Sequence, residues 1–142
     1  EYVAPPSRLF LAAAFTFDPC QGDTFTALGS SATLCLAPRV NTLQRLAQVL
    51  QQTQTSHICA TPALWRLLEA PPSSLPALRH LSLGGEAMPQ SIVEEWAASL
   101  ELRNVYGVTE VTVYQSAMSM DSSTPPRWAG LPLPGACIAI VQ

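Results

Sequence analysis

The stretch L-R-N-V-Y-G-V-T-E, Leu102–Glu110, decides how the rest of the chain is read. Leu102 to Val105 has the character of a short strand. It runs directly into an amide, an aromatic ring, a glycine, a hydroxyl and a carboxylate, and then into the β-branched Val111–Val113. That polar set is too varied for a simple hairpin turn. A strand ending on it predicts a strand tip that opens onto a ligand.

Upstream, apolar runs of strand length alternate with stretches of helical period. Arg8–Phe15, Thr33–Ala37, His57–Ala60 and Arg79–Leu83 read as strands. Between them, Gly22–Leu28 suits a short helix, and Asn41 is a good N-cap for a helix carrying Leu43, Leu46, Val49 and Leu50 on one face. Pro62 sits where a first helical turn tolerates proline, with Leu64, Leu67 and Leu68 on the apolar side. After the linker A-P-P-S-S-L-P, Pro89 opens a helix that turns Ile92, Val93, Trp96 and Leu100 inward. The alternation predicts an α/β fold, a mostly parallel sheet covered by helices. Val111–Ala117 and the closing G-A-C-I-A-I-V predict β-structure beyond that sheet, with S-M-D-S-S-T-P-P-R between them as a surface loop.

In such sheets ligands bind outside the carboxyl ends of the strands. Asp18 follows the first strand, Cys59 ends the third, Gly84-Gly85-Glu86 follows the fourth and Asn104–Glu110 follows the fifth. The unusual residues converge on one edge.

Composition limits the function classes. The 142 residues are 48% hydrophobic and suffice for one segment with a real core. Charged residues make up 12%, against about a quarter in a typical globular chain, so much of the surface is expected to be covered by something else. Lysine is absent, the seven cations are scattered arginines and the net charge is −3, which excludes an electrostatic nucleic-acid binder. Cys20, Cys35, Cys59 and Cys137 have no metal-ligand spacing and read as reduced, mostly buried thiols. Apolar runs fall well short of the ~20 residues of a membrane span, and no secretory signal is visible, so a cytoplasmic setting is expected.

Individual residues keep two readings. Paired glycines let a flat ligand lie on bare backbone, with Glu86 accepting from an exocyclic amine, but they serve a tight turn equally well. Tyr106 offers a face for stacking or fills a half-buried core position. A hydroxyl beside a carboxylate, Thr109-Glu110, suits a phosphate oxygen and its Mg²⁺, or a solvated turn.

G-G-E at 84–86 with N-x-Y-G-x-T-E at 104–110 resembles the adenylate-forming enzymes, which include nonribosomal peptide synthetase adenylation domains, acyl-CoA synthetases and luciferases. F-D-P-C at 17–20 resembles the F-D-x-S segment of amino-acid-activating members. T-L-C-L-A-P-R, A-T-P-A-L and R-W-A-G-L-P-L-P-G-A follow the same order of segments, so the resemblance covers essentially the whole chain. It implies an enzyme in which a carboxylate attacks the α-phosphate of ATP to give an acyl-adenylate and pyrophosphate.

By this resemblance Gly84, Gly85 and Glu86 line the adenine pocket, Asn104 bonds the base edge, and Tyr106, followed by Gly107, stacks on it. Thr109 contacts the α-phosphate and Glu110 helps hold Mg²⁺; both are the implied catalytic residues. Asp18 pairs with the substrate's amino group, or N-caps the following helix, or does both. Pro19, Gly22, Cys59, Ser82, Val105, Val113 and Tyr114 line the acyl pocket. The implied acceptor is a phosphopantetheinyl carrier-protein thiol, or CoA if the substrate is a plain carboxylic acid.

Two departures stand out. Val108 replaces the usual proline, which removes some rigidity from the turn, and Cys20 replaces a serine with no base nearby to activate its thiol. The phosphate loop, the ribose-binding aspartate and the catalytic lysine of the family are absent from residues 1–142. The chain is therefore expected to be a central part of an adenylation core, inactive alone and completed by the remaining parts of that domain. A nucleotide- or partner-binding module without catalysis is the alternative of another class. A dinucleotide-binding unit is disfavoured, since G-x-G-x-x-G is missing.

Overall fold

The computed structural model describes residues 3–139. Seven strands form one sheet in the order β2-β1-β3-β4-β5-β6-β7. They are β1 (Arg8–Leu11), β2 (Thr33–Cys35), β3 (His57–Ala60), β4 (His80–Gly84), β5 (Glu101–Tyr106), β6 (Ser116–Ser119) and β7 (Leu131–Pro132). The first five are parallel, because each connection between them carries a helix or other crossover that returns the chain to the starting edge. The α/β expectation holds.

The register sorts side chains by alternation. Leu9 pairs with His57, Ile58 with Leu81, and Leu81 with Leu102. Phe10, Ile58, Leu81, Leu83 and Leu102 belong to the main core. Against them pack α3 (Leu46–Gln52), α4 (Pro62–Trp65) and α5 (Gln90–Trp96) through Leu50, Trp65, Val93 and Trp96. Trp65 and Trp96 meet edge to face, with ring centroids 4.8 Å apart. On the other face, α1 (Pro19–Gly29) packs Ala27 against Leu9 and Val3.

Several expectations need correction. The helix foreseen after Asn41 is two helices, α2 (Arg39–Gln44) and α3, broken at Arg45 with φ −144° and ψ 37°; Pro38, not Asn41, holds the N-cap position. The break lets α3 bury Leu46, Val49 and Leu50 while Leu43 stays largely exposed. Helix α1 starts at Pro19, three residues before the expected Gly22, since proline's fixed φ suits the first helical position. Asp18 makes no side-chain cap bond.

The β-structure expected beyond the sheet instead extends it. Strand β6 pairs antiparallel with β5, and β7 with β6. Val111–Tyr114 forms no strand: Thr109–Val111 is a 3-10 turn, and Thr112 and Val113 follow with φ +62° and +64°. Of G-A-C-I-A-I-V, residues 135–139 form no strand and the last two lie outside the described residues. The segment 119–127 is a loop, as expected, apart from the last residue of β6. No helix among the described residues is long and apolar enough to cross a membrane.

Candidate active site

Strand β1 lies between β2 and β3, so the order of connection reverses there. A crevice opens at such a reversal, because the two crossovers leave in opposite directions. A cavity of about 160 Å³ occupies it. Its wall comes from Ala12–Ala14 after β1, Asp18 and Pro19 at the start of α1, Cys59 and Ala60 at the end of β3 with Thr61 beyond, Gly84 at the end of β4 with Gly85 beyond, and Gly107, Thr109, Val113 and Tyr114 after β5. Elements far apart in sequence therefore supply one site.

Local chemistry fixes each wall. Gly85 has φ +83°, which only glycine adopts without strain. At Gly84 a Cβ would meet the Val105 Cγ2 at 2.7 Å, so the missing side chain also admits the neighbouring strand. Thr61 caps α4 by accepting from the Leu64 N–H at 3.1 Å. After β5, Gly107 leaves room for the Val113 carbonyl, and the bend from Thr109 to Tyr114 folds back over it.

Gln115 holds that bend. Its Oε1 accepts from the Val108 N–H at 2.7 Å and its Nε2 donates to the Val111 carbonyl at 3.0 Å. Proline at 108 has no N–H to offer, so the departure that sequence alone reads as lost rigidity is offset by a bond only a non-proline residue makes.

The bend brings Thr109 to Asp18, and the Thr109 hydroxyl donates to Asp18 Oδ1 at 3.3 Å. These two residues are 91 positions apart in sequence. Glu110 is exposed beside Thr109.

A second cavity of about 280 Å³ lies between α1 and the sheet face opposite the main core. Gly22, Asp23, Ser82, Val105 and Arg103 line it, and Cys59 and Tyr114 line both cavities. The Cys59 Sγ and Tyr114 Oη are 2.8 Å apart. Burial pushes the Cys59 thiol up to about 12, with Asp23's charge raising it further and the Tyr114 hydrogen bond opposing. Burial likewise raises the Tyr114 phenol, followed by the influence of Cys59. Neither group is a nucleophile at neutral pH.

Of the residues expected from sequence, Asp18, Pro19, Cys59, Gly84, Gly85, Gly107, Thr109, Val113 and Tyr114 share the first cavity. Gly22, Ser82 and Val105 join Cys59 and Tyr114 in the second. Glu86, Asn104, Tyr106 and Glu110 line neither, although each is a chain neighbour of a lining residue. Asn104 is buried, and its Nδ2 donates to the Trp128 carbonyl at 2.7 Å, which fixes its amide plane.

Sequence reading missed Arg39, Thr61 and Asp23. Arg39 lines the first cavity and donates from Nη1 to the Ala12 carbonyl at 2.8 Å. Asp23 shares the i, i+4, i+8 spacing of Pro19 and Ala27, the stripe of α1 that the structure buries; spacing alone offers that stripe as one of several.

The chain matches the family described as AMP-binding enzyme over residues 2–142. It is 36% identical over 127 residues to nonribosomal peptide synthetase sidE of Aspergillus fumigatus, covering 89% of this chain and 6% of that protein. Malformin synthetase mlfA of Aspergillus sclerotiicarbonarius is 34% identical over 134 residues, which is 94% of this chain and 3% of that protein. Among solved structures, the Vibrio cholerae adenylation domain AlmE, in complex with glycyl-adenosine-5'-phosphate, superposes with a TM-score of 0.78 at 25% identity, covering 86% of this chain and 24% of that one. The nonribosomal peptide synthetase FmoA3, in its AMPPNP-bound form, shares the fold with a TM-score of 0.82 at 22% identity, over 92% of this chain and 16% of that one. The chain thus spans only a small fraction of the relatives it matches. With the family pattern matched across nearly its whole length, the chain belongs to the AMP-binding enzymes.

Proposed function

We propose that the protein containing this chain activates an amino acid as its adenylate. In that reaction the substrate carboxylate attacks the α-phosphorus of ATP, the bond to the β-phosphate oxygen breaks, and pyrophosphate leaves with the electron pair. The aminoacyl group then passes to the thiol of a phosphopantetheinyl carrier, releasing AMP. The chain would form part of the large N-terminal core of that adenylation domain, working in the cytoplasm.

The observation that carries this reading is the meeting of Asp18 and Thr109 at the strand-order reversal. An ammonium bound at the Asp18 carboxylate would leave its own carboxylate, a few bonds away, within reach of a phosphate at the Thr109 hydroxyl. Holding both reactants in one cavity lowers the entropic part of the barrier. Gly84 and Gly85 would receive the adenine face, flanked by Glu86, Asn104 and Tyr106.

Glu110 suits Mg²⁺, which takes few protein ligands and fills its shell with phosphate oxygens and water. Bound there, the ion would supply charge neutralisation at the phosphates. AlmE, solved with a glycyl-adenylate, and the peptide synthetase relatives support an amino acid over a plain acid.

ATP–pyrophosphate exchange by the complete protein tests the proposal. Exchange with amino acids is expected; exchange with fatty or aryl acids alone would assign a CoA ligase instead, and nucleotide binding without exchange a non-catalytic module.

A further inference from the structure

Asp23 is 6% exposed, and its Oδ2 has no hydrogen-bond partner among the described residues. A buried polar atom left unpaired costs about 1–3 kcal/mol, and more if charged, so its presence calls for a ligand or a role. Its position supplies one. Helix α1 carries Asp18 and Pro19 into the first cavity and, one turn further, Gly22 and Asp23 into the second. The two cavities meet at Cys59 and Tyr114. Beyond that boundary most of the wall is apolar (Leu9, Val105, Ala117, Leu133), as a pocket for a side-chain stem requires. Gly22 keeps the space beside Val113 open: a Cβ there would lie 3.1 Å from the Val113 Cγ1.

We propose that Asp23 is a specificity-determining residue whose carboxyl receives the hydrogen-bond donor, hydroxyl or ammonium, at the tip of the activated amino acid's side chain. The inference rests on the adenylation reading. With the α-amino group at Asp18, the side chain extends past Cys59 and Tyr114 along α1 towards Asp23. A donor-bearing tip completes the orphaned oxygen, whereas an apolar tip of equal size buries it for good. Arg103, the other charged group of this cavity, is ion-paired through its guanidinium to Glu101, so its charge is already partly balanced.

The test is ATP–pyrophosphate exchange by the complete protein with size-matched pairs: tyrosine against phenylalanine, and ornithine or lysine against norleucine. At least one donor-bearing member is expected to exceed its apolar partner in kcat/KM by about 10-fold or more, the size of one buried hydrogen bond. The pair that discriminates tells hydroxyl from ammonium. Asp23→Leu is expected to invert that ratio, and the near-isosteric Asp23→Asn to keep part of it. Because the readout is a ratio within one variant, a general loss of folding does not mimic it. Preference for the apolar member, or Asp23→Leu lowering both members equally, overturns this inference and leaves adenylation standing. Absence of exchange with every acid overturns both.

Discussion

The Cys59 thiol and the Tyr114 hydroxyl meet at 2.8 Å, although 55 positions separate them in sequence. Their contact sits where the two cavities adjoin and ties β3 to the bend after β5. Four expectations follow from this arrangement and its neighbours.

Thiol labelling should sort the cysteines by environment. Cys137 is exposed, whereas Cys59 is held near 12 by burial. Iodoacetamide at pH 8 should modify Cys137 within minutes and leave Cys59 intact until the protein is denatured, as read by peptide mass spectrometry. Rapid native labelling of Cys59 would contradict the contact with Tyr114.

Gln115 should matter more than its distance from the chemistry suggests. Gln115→Leu removes both bonds that hold the bend, the one from the Val108 N–H and the one to the Val111 carbonyl, each worth about 0.5–1.5 kcal/mol. Since Thr109 sits in that bend, kcat in the exchange assay should fall more than KM for the amino acid rises. Restoring the family's proline with Val108→Pro should destabilise this chain, because it deletes the same donor.

Asp18 and Thr109 should separate in kinetics despite their contact. Asp18→Ala removes the ammonium partner and is expected to raise KM for the amino acid about 10–100-fold, with KM for ATP nearly unchanged. Thr109→Ala should act mainly on kcat, at the phosphate. Equal effects of both variants on both substrates would break the assignment.

Asp23 should impose a pH dependence on stability. Burial lifts its carboxyl from 3.8 to about 8, so the folded state holds a proton that the unfolded chain releases. Folding is therefore favoured below about pH 4 relative to higher pH, and this contribution is lost progressively up to about pH 8. Asp23→Asn, neutral at every pH, should flatten that part of the melting-temperature profile and raise Tm at pH 8.

Sequence carried the parallel strands because their signal is local: β-branched and leucine-rich runs bounded by turn residues. His57–Ala60 matches its expected span to the residue. It also carried the strand tips, since glycines, hydroxyls and carboxylates after apolar runs are visible without coordinates. The break at Arg45 was not legible, because the Leu43–Leu50 pattern fits one helix; only packing against the sheet re-aims the second half. The bend at Thr112 and Val113 was hidden for a related reason. Two β-branched residues suggest a strand, and the space beside Gly107 that folds them back is a tertiary fact. Asp23 was overlooked because an acid in a helix ordinarily faces water, and which stripe of α1 meets the sheet depends on the strand it packs against.

Thr112 and Val113 form a left-handed pair. Each residue is held where branched side chains are disfavoured by about 1–3 kcal/mol. Glycine at either position would relieve that tension and stabilise the folded chain. It would also free the hinge that presses the Thr109 hydroxyl towards its acidic neighbour. A glycine at 112 or 113 is therefore expected to make the chain more stable and its Thr109 less well placed.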